Sequence, residues 1–147
     1  MFRKLSELVW ASPQISVEQV AEAAAQGVGL IINNRPEGES DDQTPGAVIE
    51  AAARAAGIAY VAIPVTHAGF SEPQITAMTA ALGEAGKPVL AYCRSGTRST
   101  LLWALAEASQ GAEPAELSRQ AAAAGYELSG IAPLLDMLSA KARGAEA

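Results

Sequence analysis

The sequence predicts an α/β fold: a single-domain, three-layer sandwich with a mostly parallel sheet flanked by helices. Three observations predict it. Apolar runs of strand length (Val28–Ile32, Ile58–Val65 and Pro88–Tyr92) alternate with helical segments. Two of the intervening helices open with a capping-box pattern, Ser16 with Gln19 and Ser71 with Gln74. Polar loops at 33–44, 66–70 and 93–99 follow the strands, at the carboxyl ends where such sheets bind ligands.

The elements follow in order. Leu8-Val9-Trp10 is a short apolar run before Ser12-Pro13 and reads as an edge strand. A helix runs from Ser16 to about Gln26 and stops at Gly27. After the strand Val28–Ile32, Asn33–Thr44 forms an acidic loop. Pro45 opens a helix to Ala56, at a position where its missing N–H costs nothing. Ile58–Val65 is a strand, Thr66–Phe70 a loop, and Ser71 to about Gly83 a helix. Pro88–Tyr92 is the next strand and Cys93–Ser99 a polar loop. Helices follow at Thr100–Gln110, Pro114–Ala124 and Ile131–Ala142, then a frayed tail. No repeat or linker interrupts the chain, so residues 1–147 read as one domain with an ordered core over about 8–142.

Composition narrows the function. Half of the 147 residues are hydrophobic, but 33 of them are alanines, which favour helix and close packing. One cysteine and one histidine exclude an internal disulfide framework and a multi-ligand zinc site. The net charge of −6 carries no basic face for nucleic acid. No apolar run is long enough for a membrane span, and Met1-Phe2-Arg3-Lys4 is not followed by a signal-peptide h-region. The expectation is a cytoplasmic protein whose lone thiol stays reduced, without a metal or cofactor.

The segment Cys93-Arg94-Ser95-Gly96-Thr97-Arg98-Ser99 joins a buried strand to a helix start. Amides of such a turn can converge on one point, and the helix adds its positive end. Gly96 allows a φ that a side chain would forbid. Arg94 and Arg98 are a tight basic pair in an acidic chain, placed to favour the nucleophilic thiolate of Cys93. The bland alternative is a small buried cysteine beside an ordinary turn.

This loop resembles the active-site loop of rhodanese-type sulfurtransferases. It also resembles the phosphate-binding loop of cysteine phosphatases shortened by one residue, because four residues rather than five separate Cys93 from Arg98. Tyr92 stands where those phosphatases usually have histidine. Ile31-Ile32-Asn33-Asn34-Arg35-Pro36-Glu37-Gly38-Glu39 and Tyr60-Val61-Ala62-Ile63-Pro64-Val65, taken with the Cys93 loop, resemble the bacterial beta-lactamase hydrolase-like family over roughly Leu8 to Asp136. The resemblance implies a cysteine-phosphatase (dual-specificity phosphatase) like fold. It also implies a functional partner, a persulfide dioxygenase, to which some members are fused and for which this chain has no room. Dual-specificity phosphatases usually place an Asp general acid after the Ile-Pro-type strand. Here that stretch is Pro64–Phe70, and His67 is its titratable group, either an acid or simply a packed or solvated loop residue.

The preferred expectation is therefore sulfur transfer through a Cys93 persulfide, since a smaller cradle suits a sulfane sulfur and thiosulfate needs no strong acid. Arg94 and Arg98 would bind the anionic donor, amides of Arg94 to Ser99 (through Ser95, Gly96 and Thr97) would hold its charge, and Ser99 could bond the sulfur. The alternative is phosphate-ester hydrolysis through a Cys93 phosphocysteine, with His67 as acid. The third reading is a non-catalytic anion or redox sensor. In each case the partner is a small anion: thiosulfate, a persulfide or a phosphate ester. Arg35 or Asn34 would lie near the mouth of the site, or Arg35 would pair with a carboxylate. The acidic run 37–42 reads as a solvated, mobile loop, with gating as its sharper alternative. Leu102 and Trp103 read as core, and Tyr126 and Glu127 as rim residues at most.

Overall fold

Alternate apolar side chains of each central strand go to opposite faces, and both faces need cover. The computed structural model, which describes residues 2–144, supplies it with helices on each side. The strands are β1 (Arg3–Lys4), β2 (Val9–Ser12), β3 (Leu30–Asn33), β4 (Ala59–Ala62) and β5 (Val89–Tyr92). The helices are α1 (Val17–Ala25), α2 (Gly46–Ala55), α3 (Glu72–Glu84), α4 (Thr97–Ser109), α5 (Pro114–Ala123) and α6 (Ala132–Ala142). The sheet order is β1-β2-β5-β3-β4, parallel except for the antiparallel β1–β2 pair. It is thus a mixed sheet in a three-layer α/β domain.

Leu30, Ile32, Val89 and Ala91 face α3–α6, while Ile31, Leu90 and Tyr92 face α1 and α2. Helix α4 lies at the centre of the thicker layer. Its Leu102, Trp103, Ala104, Leu105, Ala106 and Ala108 are all buried, as expected of a helix apolar all round. The alanines let α4 approach α3 and α6 closely.

Both capping boxes form as the sequence predicts: Gln19 and Gln74 reach back to the amides of Ser16 and Ser71. Several boundaries differ, and of the expected strand Ile58–Val65 only Ala59–Ala62 forms β4. Val9 and Trp10 of the Leu8–Trp10 run belong to β2, which is not an edge strand, because Arg3–Lys4 pairs outside it. Pro45 caps α2 rather than opening it. Helix α4 begins at Thr97, three residues before the expected Thr100, and so absorbs Arg98 and Ser99 into its first turn. Residues 145–147 of the expected tail lie outside the described residues.

Candidate active site

Strand β5 ends at Tyr92, and the chain turns at once into α4, so Cys93 sits at the mouth of a strand-to-helix turn with no exposed surface. Its amide donates to Ser12 O at 3.3 Å, and Gln14 N–H donates to Arg94 O at 3.3 Å. The loop after β2 therefore braces the cysteine loop. Gly96 has φ +93°, and a Cβ there would lie 2.1 Å from Tyr126 Oη, so only glycine fits. That turn aims the Gly96 N–H at Cys93 Sγ, 3.1 Å away. Ser95 Oγ accepts from Thr97 N–H and donates to Thr97 Oγ1, which holds the start of α4.

Among the described residues, the amides of Arg94, Ser95, Arg98 and Ser99 donate to no protein acceptor. These N–H groups, left without protein acceptors in the loop after Cys93 and at the positive end of a thirteen-residue helix, are available to an anion.

Arg98 is held at its far side. Its Nη1 donates to Glu39 Oε2 and Val65 O, both at 2.7 Å, and its Nη2 donates to Glu39 Oε1 at 2.9 Å. A guanidinium has five N–H donors, and these bonds use three of them. The Nε–H and the second Nη2–H remain, and together they form the side-on fork that matches two oxygens of an oxyanion. The hydrogen bonds and charge of Arg98, with those of Arg35, hold the Glu39 carboxyl at about 2 against the opposing effect of burial. Glu39 is therefore ionised at neutral pH and cannot serve as an acid. The Tyr92 phenol is pushed up by burial and by neighbouring Tyr60, and it stays neutral.

Arg35 is 5% exposed and pairs with Glu39 at 3.0 Å, donating also to Gln14 Oε1 and Ser40 Oγ. It supports Glu39 and the loop instead of facing an anion. Ser99 corrects another expectation. Asn34 Nδ2 donates to Ile63 O at 2.9 Å, which turns Oδ1 toward Ser99, and the Ser99 hydroxyl donates there at 2.7 Å. Its single proton is thus committed to tying α4 to the end of β3, away from the sulfur. The guanidinium of Arg94 is exposed and makes no ion pair among the described residues. His67 is exposed on the turn that begins just after the Val65 carbonyl gripped by Arg98.

A buried sulfur, loop amides without protein acceptors and an arginine held by a carboxylate together make a thiol-centred anion site. A family model described as "Beta-lactamase hydrolase-like protein, phosphatase-like domain" matches residues 1–112. The chain belongs to this family. A beta-lactamase hydrolase-like protein from Xylella fastidiosa is 36% identical over 107 residues, 73% of this chain but 25% of the relative. The chain therefore matches about a quarter of the length of its curated relatives. A crystal structure of a candidate phosphatase from Neisseria meningitidis superposes with TM-score 0.82 at 35% identity, covering 92% of this chain and 96% of that one. At 17% identity, TpbA from P. aeruginosa, solved with pTyr, shares the fold with TM-score 0.67 over 97% of this chain and 90% of its own.

Membership accounts for the resemblance but not for what sequence reasoning missed. The acidic run of this family member is no solvated fringe where it matters. Glu37 caps α2 through the Gly46 amide at 2.7 Å, and Glu39 bridges Arg35 and Arg98. The spacing Arg35…Glu39 was a signal for the ion pair, whereas the pairing with Arg98 crosses 59 residues and had none. Tyr126, read from the sequence as a rim residue at most, touches the cysteine loop directly, its hydroxyl donating to Ser95 O at 3.1 Å.

Proposed function

We propose that the domain hydrolyses phosphate monoesters through a phosphocysteine at Cys93. The observation that carries this reading is the Nε/Nη2 fork of Arg98, left free by its bonds to Glu39 and Val65 and matching two oxygens of a phosphoryl group, in a chain whose family model is a phosphatase-like domain. The Cys93 thiolate attacks phosphorus, the S–P bond forms, and the P–O bond to the leaving group breaks with its electron pair going to that oxygen. Water then attacks phosphorus, the S–P bond breaks, and the thiolate returns as phosphate leaves. The oxygen of the leaving group takes a proton from His67 or from water, since Glu39 has none to give. Aryl phosphates, whose leaving groups need protonation least, are the favoured substrates, in keeping with the pTyr bound by the fold neighbour TpbA.

Sulfur transfer stands as a second reading on one observation, the four-residue spacing between Cys93 and Arg98. A paired assay decides between them: p-nitrophenyl phosphate hydrolysis, and thiocyanate formation from thiosulfate and cyanide. The phosphatase reading requires turnover in the first that Cys93→Ser abolishes. Thiocyanate release without phosphate hydrolysis overturns it.

A further inference from the structure

The peptide unit between Ser95 and Gly96 is held from both sides. On one side Tyr126 Oη donates to Ser95 O at 3.1 Å; on the other Gly96 N donates to Cys93 Sγ at 3.1 Å. No peptide bond among the described residues is cis, so this C=O and N–H point in opposite directions across one rigid plane. Fixing the carbonyl therefore fixes the N–H. A hydrogen bond accepted by an amide oxygen also polarises the amide and strengthens its N–H as a donor.

Tyr126 is itself braced. The Arg3 guanidinium lies over its ring, 5.1 Å from the centroid, and Arg3 Nη1 donates to Ala124 O at 3.3 Å. Gly125 accommodates that contact, because it has φ +90° and a Cβ there would come within 3.0 Å of Arg3 Nη1. Burial pushes the Tyr126 phenol up, so it keeps the proton it donates. The residue lies outside the stretch matched by the family model, in the turn after α5. Nothing in the family match assigns it a role.

We propose that Tyr126 is a positioning residue for the Cys93 nucleophile, acting through the Ser95–Gly96 peptide, with Arg3 clamping its ring in place. The chain of donors runs Tyr126 O–H to Ser95 C=O, then Gly96 N–H to the sulfur. The inference concerns the nucleophile of the proposed phosphatase and in that sense rests on that reading, but its physical content is the state of the sulfur and needs no substrate.

The test is Tyr126→Phe, which keeps the ring against Gly96 and Arg3 and removes only the donor. Expected are a roughly fivefold slower alkylation of Cys93 by iodoacetamide at fixed pH, weaker ultraviolet absorbance of the thiolate, and faster hydrogen exchange at the Gly96 amide. With p-nitrophenyl phosphate, kcat falls by a similar factor while KM changes less than about twofold. Ser139→Ala is the control for general destabilisation, since it removes a partly buried bond from α6 to Ala112 O, just past the C-terminal end of α4 and so at the opposite end of that helix from the cysteine loop. It should lower stability and leave alkylation unchanged. Tyr126→Phe with wild-type alkylation, absorbance and Gly96 exchange overturns the proposal, as does an equal alkylation loss in Ser139→Ala. If wild type fails to turn over the phosphate but the alkylation difference holds, the phosphatase reading fails and the positioning role stands.

Discussion

Replacing Glu39 by Gln tests the ion-pair network at its centre. The substitution keeps the shape and one acceptor oxygen but removes the charge that Arg35 and Arg98 share. In the folded chain the Glu39 carboxyl is lowered from 4.5 to about 2, first by its hydrogen bond to Arg98. That drop corresponds to about 3 kcal/mol of preference for the ionised form. The side chain is 14% exposed, so some screening applies and we take about 2 kcal/mol. The sign follows from the direction. A lowered folded-state value contributes stability that is complete above 4.5 and is lost as pH falls through about 2. Thermal unfolding of wild type and Glu39→Gln should differ by about 4–8 °C at pH 7. The gap should begin to close below pH 4.5 and vanish near pH 2. A gap that is constant from pH 7 to pH 2, or absent at pH 7, refutes the argument that Glu39 is held ionised by the two arginines.

Other residues make separate predictions. Ser99→Ala leaves Asn34 Oδ1 buried without its donor and should cost about 1–2 kcal/mol in urea unfolding; an unchanged midpoint would show the bond to be dispensable. Gly96→Ala must place a Cβ against Tyr126 Oη at φ +93°, so a loss of at least about 2 kcal/mol and of turnover is expected, and a fully stable, active variant would contradict the geometry. His67→Asn, on an exposed turn, should leave the melting temperature within about 1 °C of wild type. If His67 supplies the proton, the variant should lose about a hundredfold in alkyl phosphate hydrolysis and far less with p-nitrophenyl phosphate; equal losses on both would remove it from that role.

The sequence carries the parallel core and the cysteine loop because both are written in local patterns. Val28–Ile32 and Pro88–Tyr92 are contiguous apolar runs, and the capping boxes at Ser16 and Ser71 span three residues each. Cys93, Gly96 and Arg98 fall within six positions, so their convergence needed no long-range information. Arg3–Lys4 escaped notice because two charged residues in a row have no strand signature; their pairing depends on β2 already being in the sheet. The role of Ser99 was misread for the same reason, since its partner Asn34 lies 65 residues away and its orientation is set by Ile63 O. Glu39 looked like one more acidic loop residue until the fold brought Arg98 beside it. The preference for sulfur over phosphate rested on loop length and on the missing Asp acid, both local features, whereas the orientation of Arg98 is set by Glu39 and Val65, 59 and 33 residues away.

The central claim is that Cys93 carries a phosphoryl group during turnover. Rapid acid quench of wild-type protein with p-nitrophenyl phosphate, followed by mass spectrometry of the peptide containing Cys93, tests it directly. The account predicts an adduct of one phosphoryl group on Cys93 that is absent from Cys93→Ser and disappears as substrate is exhausted. An unmodified Cys93 during steady turnover, or hydrolysis that survives Cys93→Ser, would contradict it.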